Sequence, residues 1–157
     1  MIEITHAVVA HEIETVRLLL MEYQAQLDVD LAYQDFETEV RHLPGAYAGP
    51  SGRLLLATLE NQPVGMVALR DAGGGRAEMK RLFVRPTGRG HGVGRALVAR
   101  LLREARAARY EEVVLDTLPS MQSAQRLYEQ FGFVDIPAYR ASPVPGTRYL
   151  GLTLGVV

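Results

Sequence analysis

Residues 79–106 read MKRLFVRPTGRGHGVGRALVARLLREAR, a strand, a turn of arginine and glycine, and a helix in direct succession. At the centre, Arg89-Gly90-His91-Gly92-Val93-Gly94 places glycines at alternate positions just before an apolar-periodic helix. The first N–H groups of a helix have no intrahelical partner, and glycine lets several of them converge on one anion. That is the construction of a pyrophosphate cradle. One glycine suffices for a tight turn; three, flanked by Arg85, Arg89 and Arg95, favour anion binding.

Spacing tests the competing glycine motifs. A Walker A loop ends in Gly-Lys-Ser/Thr, whereas this turn ends in Gly94-Arg95-Ala96. A dinucleotide fingerprint needs Gly-x-Gly-x-x-Gly, but counting from Gly88, Gly90 or Gly92 the last position is Val93, Arg95 or Leu97. Asp116 stands where a ribose-binding acid would fall, which is the one feature in favour of a nicotinamide-dependent oxidoreductase. The strand before the turn, EMKRLFVR, alternates polar and apolar residues, unlike a first Rossmann strand buried on both faces.

With 157 residues, 48% of them hydrophobic and 22% charged, the chain has the material for one well-buried core, and residues 1–157 are expected to form a single domain. Cysteine is absent, which removes disulfides, cysteine-ligated metal and a thiol nucleophile; no metal is expected, and a reducing cytoplasm is the natural compartment. No stretch is apolar for long enough to span a membrane. Charge is distributed unevenly: residues 1–50 carry nine acids against Arg17 and Arg41, while residues 80–109 carry nine bases against Glu104. Arg100, Arg103 and Arg106 suit a solvated helix face, whereas Lys80, Arg81, Arg85 and Arg89 bracket the glycine turn. The basic excess is local and lacks interleaved aromatics, so nucleic acid is not expected as a partner.

Periodicity orders the rest. Residues 2–8 read as a strand, and from about His11 a helix follows with Ile13, Val16, Leu20, Tyr23 and Leu27 at helical spacing. A short helix over residues 36–43 stops at Pro44-Gly45. Residues 53–60 and 64–69 are strand-like runs joined by Asn61-Gln62-Pro63, and Gly73-Gly74-Gly75 leads into a third run over 77–84, which makes an antiparallel meander. The helix after the glycine turn is expected to bury Val93, Ala96, Leu97, Leu101 and Ala108. Val113-Val114-Leu115 then suits a strand covered on both faces, which closes a βαβ crossover. A helix over 121–131 presents Ala124, Leu127, Tyr128 and Phe131 and ends at Gly132; residues 133–136 and 148–154 complete a mixed α/β sheet.

Two motifs carry a family resemblance. Arg89-x-x-Gly92-x-Gly94, after a strand and opening a helix, is similar to the acetyl-coenzyme A signature of the GNAT superfamily of N-acetyltransferases, and SAQRLYEQFGF at 123–133 resembles its later Ala-x-x-Leu-Tyr-x-x-x-Gly-Phe motif. The resemblance covers nearly the whole chain. It implies a mostly antiparallel sheet with helices on both faces, whose fourth and fifth strands splay apart. Acetyl-CoA would be held at Arg89, Gly90, His91, Gly92, Val93, Gly94 and Arg95, with its pantetheine arm against the backbone of Leu82, Phe83 and Val84. His91 would serve through its backbone N–H. Tyr128 would be the general acid for the departing thiolate, although a core tyrosine on an amphipathic helix fits the periodicity equally well. Where many relatives carry an asparagine, this chain has Met121, with Ser120 or Ser123 as substitutes. Superfamily members often dimerise, so a homodimer is a possible partner state.

Acetyl transfer to an amine also needs a proton acceptor and an oxyanion donor. Glu78, just ahead of the pantetheine-binding residues, is the candidate base, and an exposed strand glutamate is the competing reading. The N–H of Leu82 or Phe83 would polarise the carbonyl. Without cysteine, direct transfer in a ternary complex is the simplest route. Tyr23, Tyr33, Asp35, Glu37 and the loop from Tyr139-Arg140 to Gly146 are expected to wall the acceptor, with Arg140 or Arg148 available for a carboxylate. A small amine or amino-acid-like metabolite is the leading acceptor; a protein lysine or N-terminal amine, or a non-catalytic acetyl-CoA-binding module, are the alternatives.

Overall fold

Alternation of apolar side chains makes the middle of the chain an antiparallel meander to which every other element is attached. The computed structural model describes residues 1–155; Val156 and Val157, the end of the expected domain, lie outside the described residues. The strands are β1 (Ile2–His6), β2 (Arg53–Leu59), β3 (Gln62–Gly73), β4 (Arg76–Val84), β5 (Glu112–Thr117), β6 (Val134–Asp135) and β7 (Arg148–Thr153). The helices are α1 (Ala10–Gln26), α2 (Phe36–Arg41), α3 (Val93–Ala107) and α4 (Gln122–Gln130). They form one seven-stranded sheet in the order β1-β2-β3-β4-β5-β7-β6, in which β4 and β5 are the parallel pair. No helix among the described residues is long and apolar enough to cross a membrane.

Successive side chains on a strand point to opposite faces, and β2 shows the result. Leu55 and Ala57 pack with Val67, Leu69, Met79, Leu97 and Leu101 beneath α3, whereas Leu54 and Leu56 pack with Val16, Leu20, Tyr23, Met66 and Phe83 beneath α1. Helices thus cover both faces. The α3 stripe is wider than its periodicity suggests: Val98, Leu102 and Ala105 are fully buried, and Ala96 and Ala108 lie half-buried at its margins. The β2–β3 connection is also tighter than expected. Glu60 and Asn61, at φ +49° and +64°, form a two-residue turn whose twist matches the flanking strands, so Gln62 and Pro63 already pair with Leu59 and Thr58.

Two departures from regularity in β4 prepare the site. The strand meets β5 only through Arg76, Ala77 and Glu78, which pair with Glu112, Val113 and Val114. Beyond Glu78 the strands diverge, and the β5-facing edge of β4 has no strand partner. On the other edge, Lys80 pairs with Ala68 but Phe83 pairs with Met66, so β4 carries one extra residue. Arg81 sits at this bulge with φ +63°, a conformation costly for a non-glycine residue. Its guanidinium is held by Glu39 of α2 through hydrogen bonds of 3.0 and 2.9 Å and lies 5.2 Å from the Phe36 ring centroid.

Gly65 lies where β3, β4 and α3 meet most closely. A Cβ there would stand 2.8 Å from the Phe83 carbonyl oxygen, with Leu97 and Val93 at 3.2 and 3.3 Å. Gly65→Val is expected to destabilise the protein by roughly 1–3 kcal/mol through overpacking, read from the urea midpoint.

Candidate active site

The glycine turn is shaped by contacts that only glycine permits. Gly88 ends a 3-10 turn over Pro86–Gly88, and a Cβ on it would lie 2.8 Å from Val64 Cβ, so the main chain is pressed onto β3. Gly90 and Gly92 have φ of +81° and +79°, and Gly92 is the N-cap of α3. Ala96 donates to Gly92, which begins the helical ladder, while the N–H groups of Gly90, His91, Gly92, Val93, Gly94 and Arg95 make no hydrogen bond among the described residues. Six donors therefore stand free at the positive end of a fifteen-residue helix.

The arginines around the turn divide. Arg95 donates to Gln130 and its guanidinium lies 5.6 Å from the Phe131 ring centroid. Arg89 lies along the cleft mouth, donating to the Val84 carbonyl at 3.3 Å and to Gln26 at 3.1 Å. Arg85 does not flank the turn electrostatically as its position in sequence suggests. Its guanidinium is engaged by Glu22 at 2.8 and 2.6 Å and by the Pro63 carbonyl. The His91 side chain is exposed.

From this turn a cleft of about 820 Å³ runs between the diverging strands. Leu82, Phe83 and Val84 form one wall and Leu115, Asp116, Thr117 and Leu118 the other; Leu127 and Tyr128 of α4 cover it, and Tyr23, Leu31, Gln34 and Lys80 lie at its far end. Tyr128 is the single buried residue of α4, and its hydroxyl makes no hydrogen bond among the described residues while it lines the cleft. Burial pushes its phenol above its ordinary range. Met121 also lines the cleft, its sulfur accepting from the Thr117 hydroxyl at 3.7 Å, with Ser120 and Ser123 beside it.

The family model described as the acetyltransferase (GNAT) family matches residues 14–133. This chain belongs to that family. Over 155 residues it is 34% identical to an uncharacterised N-acetyltransferase of Schizosaccharomyces pombe, spanning 98% of this chain and 95% of that one. An acetyltransferase of the GNAT family from Staphylococcus aureus superposes with a TM-score of 0.82 at 19% identity, covering 99% of this chain and all of the other. A putative acetyltransferase of Salmonella typhimurium, solved with acetyl-CoA, superposes with a TM-score of 0.70 at 18% identity over 100% and 96% of the two chains. The expected family, fold and enzyme class are thereby shown.

In this GNAT acetyltransferase, Glu78 is neither the exposed strand residue nor the cleft-facing base that its sequence position suggests. The side chain is fully buried and does not line the cleft. Its carboxylate accepts from Arg70 at 2.8 Å, from Arg140 at 2.8 Å and from the Tyr139 hydroxyl at 2.7 Å. Burial raises its carboxyl, but the Arg140 hydrogen bond, the Lys80 charge and Tyr139 outweigh that and hold it at about 2. A carboxylate so satisfied is a weak base and a strong anchor, because it ties residues 139–140 of the β6–β7 loop to the sheet.

The expected acceptor wall is redistributed in the same way. Tyr23 lines the cleft, whereas Tyr33, Asp35 and Glu37 do not. Arg140 is committed to Glu78 and Asp116, and Arg148 to Asp135, Glu129 and Gln125, so neither guanidinium is free for a ligand. Lys80, Gln34 and Asp116 stand in the cleft instead. The one available signal for them was the adjacent pair Lys80-Arg81, where polar and apolar alternation slips by one residue.

A group whose carboxyl is depressed on folding stabilises the native state above its unfolded value and ceases to do so as pH falls through the folded one. For Glu78, taken from about 4.3 unfolded to about 2, the contribution at neutral pH is on the order of 3 kcal/mol. Glu78→Gln should therefore unfold at lower urea than the parent at pH 7, and the gap should close as pH falls from about 4 toward 2.

Proposed function

We propose that this acetyltransferase moves the acetyl group of acetyl-CoA directly to the primary amine of a small, amino-acid-like acceptor, the chain acting as a single catalytic domain. The observation that carries the reading is the set of six free N–H groups at residues 90–95, opening onto a cleft along the unpaired edge of β4. The diphosphate sits on those donors, and the pantetheine arm extends along Leu82, Phe83 and Val84 as an added strand would. Arg89 vacates the Val84 carbonyl when the arm's amide takes it.

The residues present suit the chemistry. The acceptor arrives as an ammonium, and Asp116, a carboxylate lining the cleft with one 3.3 Å hydrogen bond from Arg140, takes its proton directly or through water. The amine nitrogen attacks the thioester carbon, and the electron pair moved onto oxygen is held by the N–H of Leu82 or Phe83 beside the bulge. Collapse forms the amide and breaks the C–S bond. Tyr128, kept protonated by its burial, gives its proton to the thiolate and regains one as the amide nitrogen sheds its second proton, directly or through water. The absence of cysteine leaves no thiol to carry an acetyl-enzyme intermediate, in keeping with direct transfer.

Tyr128→Phe is expected to lower kcat by about 10²-fold while leaving the Kd for acetyl-CoA nearly unchanged, by free-thiol release and calorimetry; unchanged turnover would remove Tyr128 from its role. Gly92→Val, forced to φ +79°, should abolish the rise in Tm that acetyl-CoA gives the parent.

A further inference from the structure

Among the described residues Lys80 is the one buried charged side chain of the cleft with no ionic partner; Asp28 and Arg89, also unpaired there, are solvated at its mouth. The Lys80 side chain is 8% exposed, lines the cleft, and makes a single hydrogen bond, from Nζ to Gln34 Oε1 at 3.2 Å. No ion pair among the described residues includes it, so two of its three ammonium donors are uncommitted.

Its neighbours are matched with one another. Arg81 is paired with Glu39, Arg70 and Arg140 with Glu78, and Arg140 also with Asp116. Four cationic side chains therefore meet three carboxylates, and the unmatched charge is the Lys80 ammonium. A buried charge is costly unless paired, and no carboxylate among the described residues lies within ion-pair distance of it. Burial and the Arg81 charge push the ammonium down to about 8, which leaves it mostly charged at neutral pH. The bulge explains its placement: the extra residue at Arg81 lets consecutive cations occupy one face, one locked to α2 and the other left in the cleft.

We propose that Lys80, positioned by Gln34, is the subsite for a carboxylate on the amine acceptor, so that the preferred substrates are free amino acids rather than simple amines. This rests on the acetyltransferase reading above and specifies its acceptor. An incoming carboxylate completes the charge balance and accepts the two idle donors, while Asp116, across the same cleft, faces the acceptor's ammonium. The two groups form a dipole opposite in sense to that of an amino-acid zwitterion. A carboxylate suits the site better than a phosphate, since one ammonium balances one negative charge.

The test is free-thiol release from acetyl-CoA with a panel of free amino acids, each paired with the amine left by its decarboxylation. The parent enzyme should show a kcat/KM at least about ten-fold higher for the carboxylate-bearing member of the best pair, the effect expected of one charge-assisted hydrogen-bonded contact. Lys80→Gln should reduce that preference by roughly 10–100-fold, chiefly through the KM of the amino acid, and Lys80→Arg should restore part of it. Gln34→Glu supplies an internal carboxylate in place of the Gln34 amide and should suppress the preference in the same way, which guards against a misfolded Lys80 variant. Preference of the parent for the decarboxylated amines, or equal losses for both members of a pair in Lys80→Gln, would overturn the subsite. If no amine releases thiol and acetyl-CoA leaves Tm unmoved, the transferase reading itself falls, and the subsite with it.

Discussion

The bidentate pair between Arg81 and Glu39 is the contact on which the working half of the molecule depends. It holds a non-glycine residue at φ +63° in the middle of a strand, and the bulge so fixed changes which way every later side chain of β4 points. Lys80 and Arg81 share the α1 and α2 face, Phe83 joins the core beneath α1, and Leu82 and Val84 turn toward α3. Buried ion pairs contribute little net stability once desolvation is counted. The value of this one lies in register: without it the strand regains strict alternation, and one of the two cations must enter the apolar layer under α3.

Charge is therefore organised in two tiers. The inner tier is structural: Glu78 joins Arg70, Arg140 and Tyr139 and ties the β6–β7 loop to the sheet. The outer tier lines the cleft, where Lys80 and Asp116 face the space left by the diverging strands. Sequence position alone does not separate the tiers. Glu78 and Lys80 are two residues apart on one face of one strand, and they differ because the network around Glu78 is closed and that around Lys80 is open.

The fold was legible in the sequence wherever burial has a regular period. The meander, the βαβ unit, the long α1 and the cap at Gly132 all follow from spacing and turn chemistry. The geometry of the glycine turn was legible for the same reason, since a glycine turn before a helix is local: φ values at Gly90 and Gly92 and the free N–H groups follow from residues that are neighbours in sequence. The far end of the cleft was not. It is assembled from α1, the segment after it, β4 and β5, and which arginine meets which carboxylate across 42 or 62 residues is decided by packing. Arg85 illustrates the point, because beside the glycine turn in sequence it turns to Glu22 on α1, 63 residues earlier.

The short helix α4 buries a single side chain, Tyr128, and is otherwise half-buried or solvated along its length. Around Tyr128, Ala124 and Leu127 pack only partly buried against the core, and Gln125, Glu129 and Gln130 are tied to Leu118, Arg148 and Arg95 through side chains; an element with so little buried surface opens at smaller cost than the sheet beneath it. That one buried side chain is also part of the cleft lining. Opening of the cleft and loosening of α4 are consequently coupled, since whatever fills the cleft also bears on the phenol ring that holds the helix to the sheet.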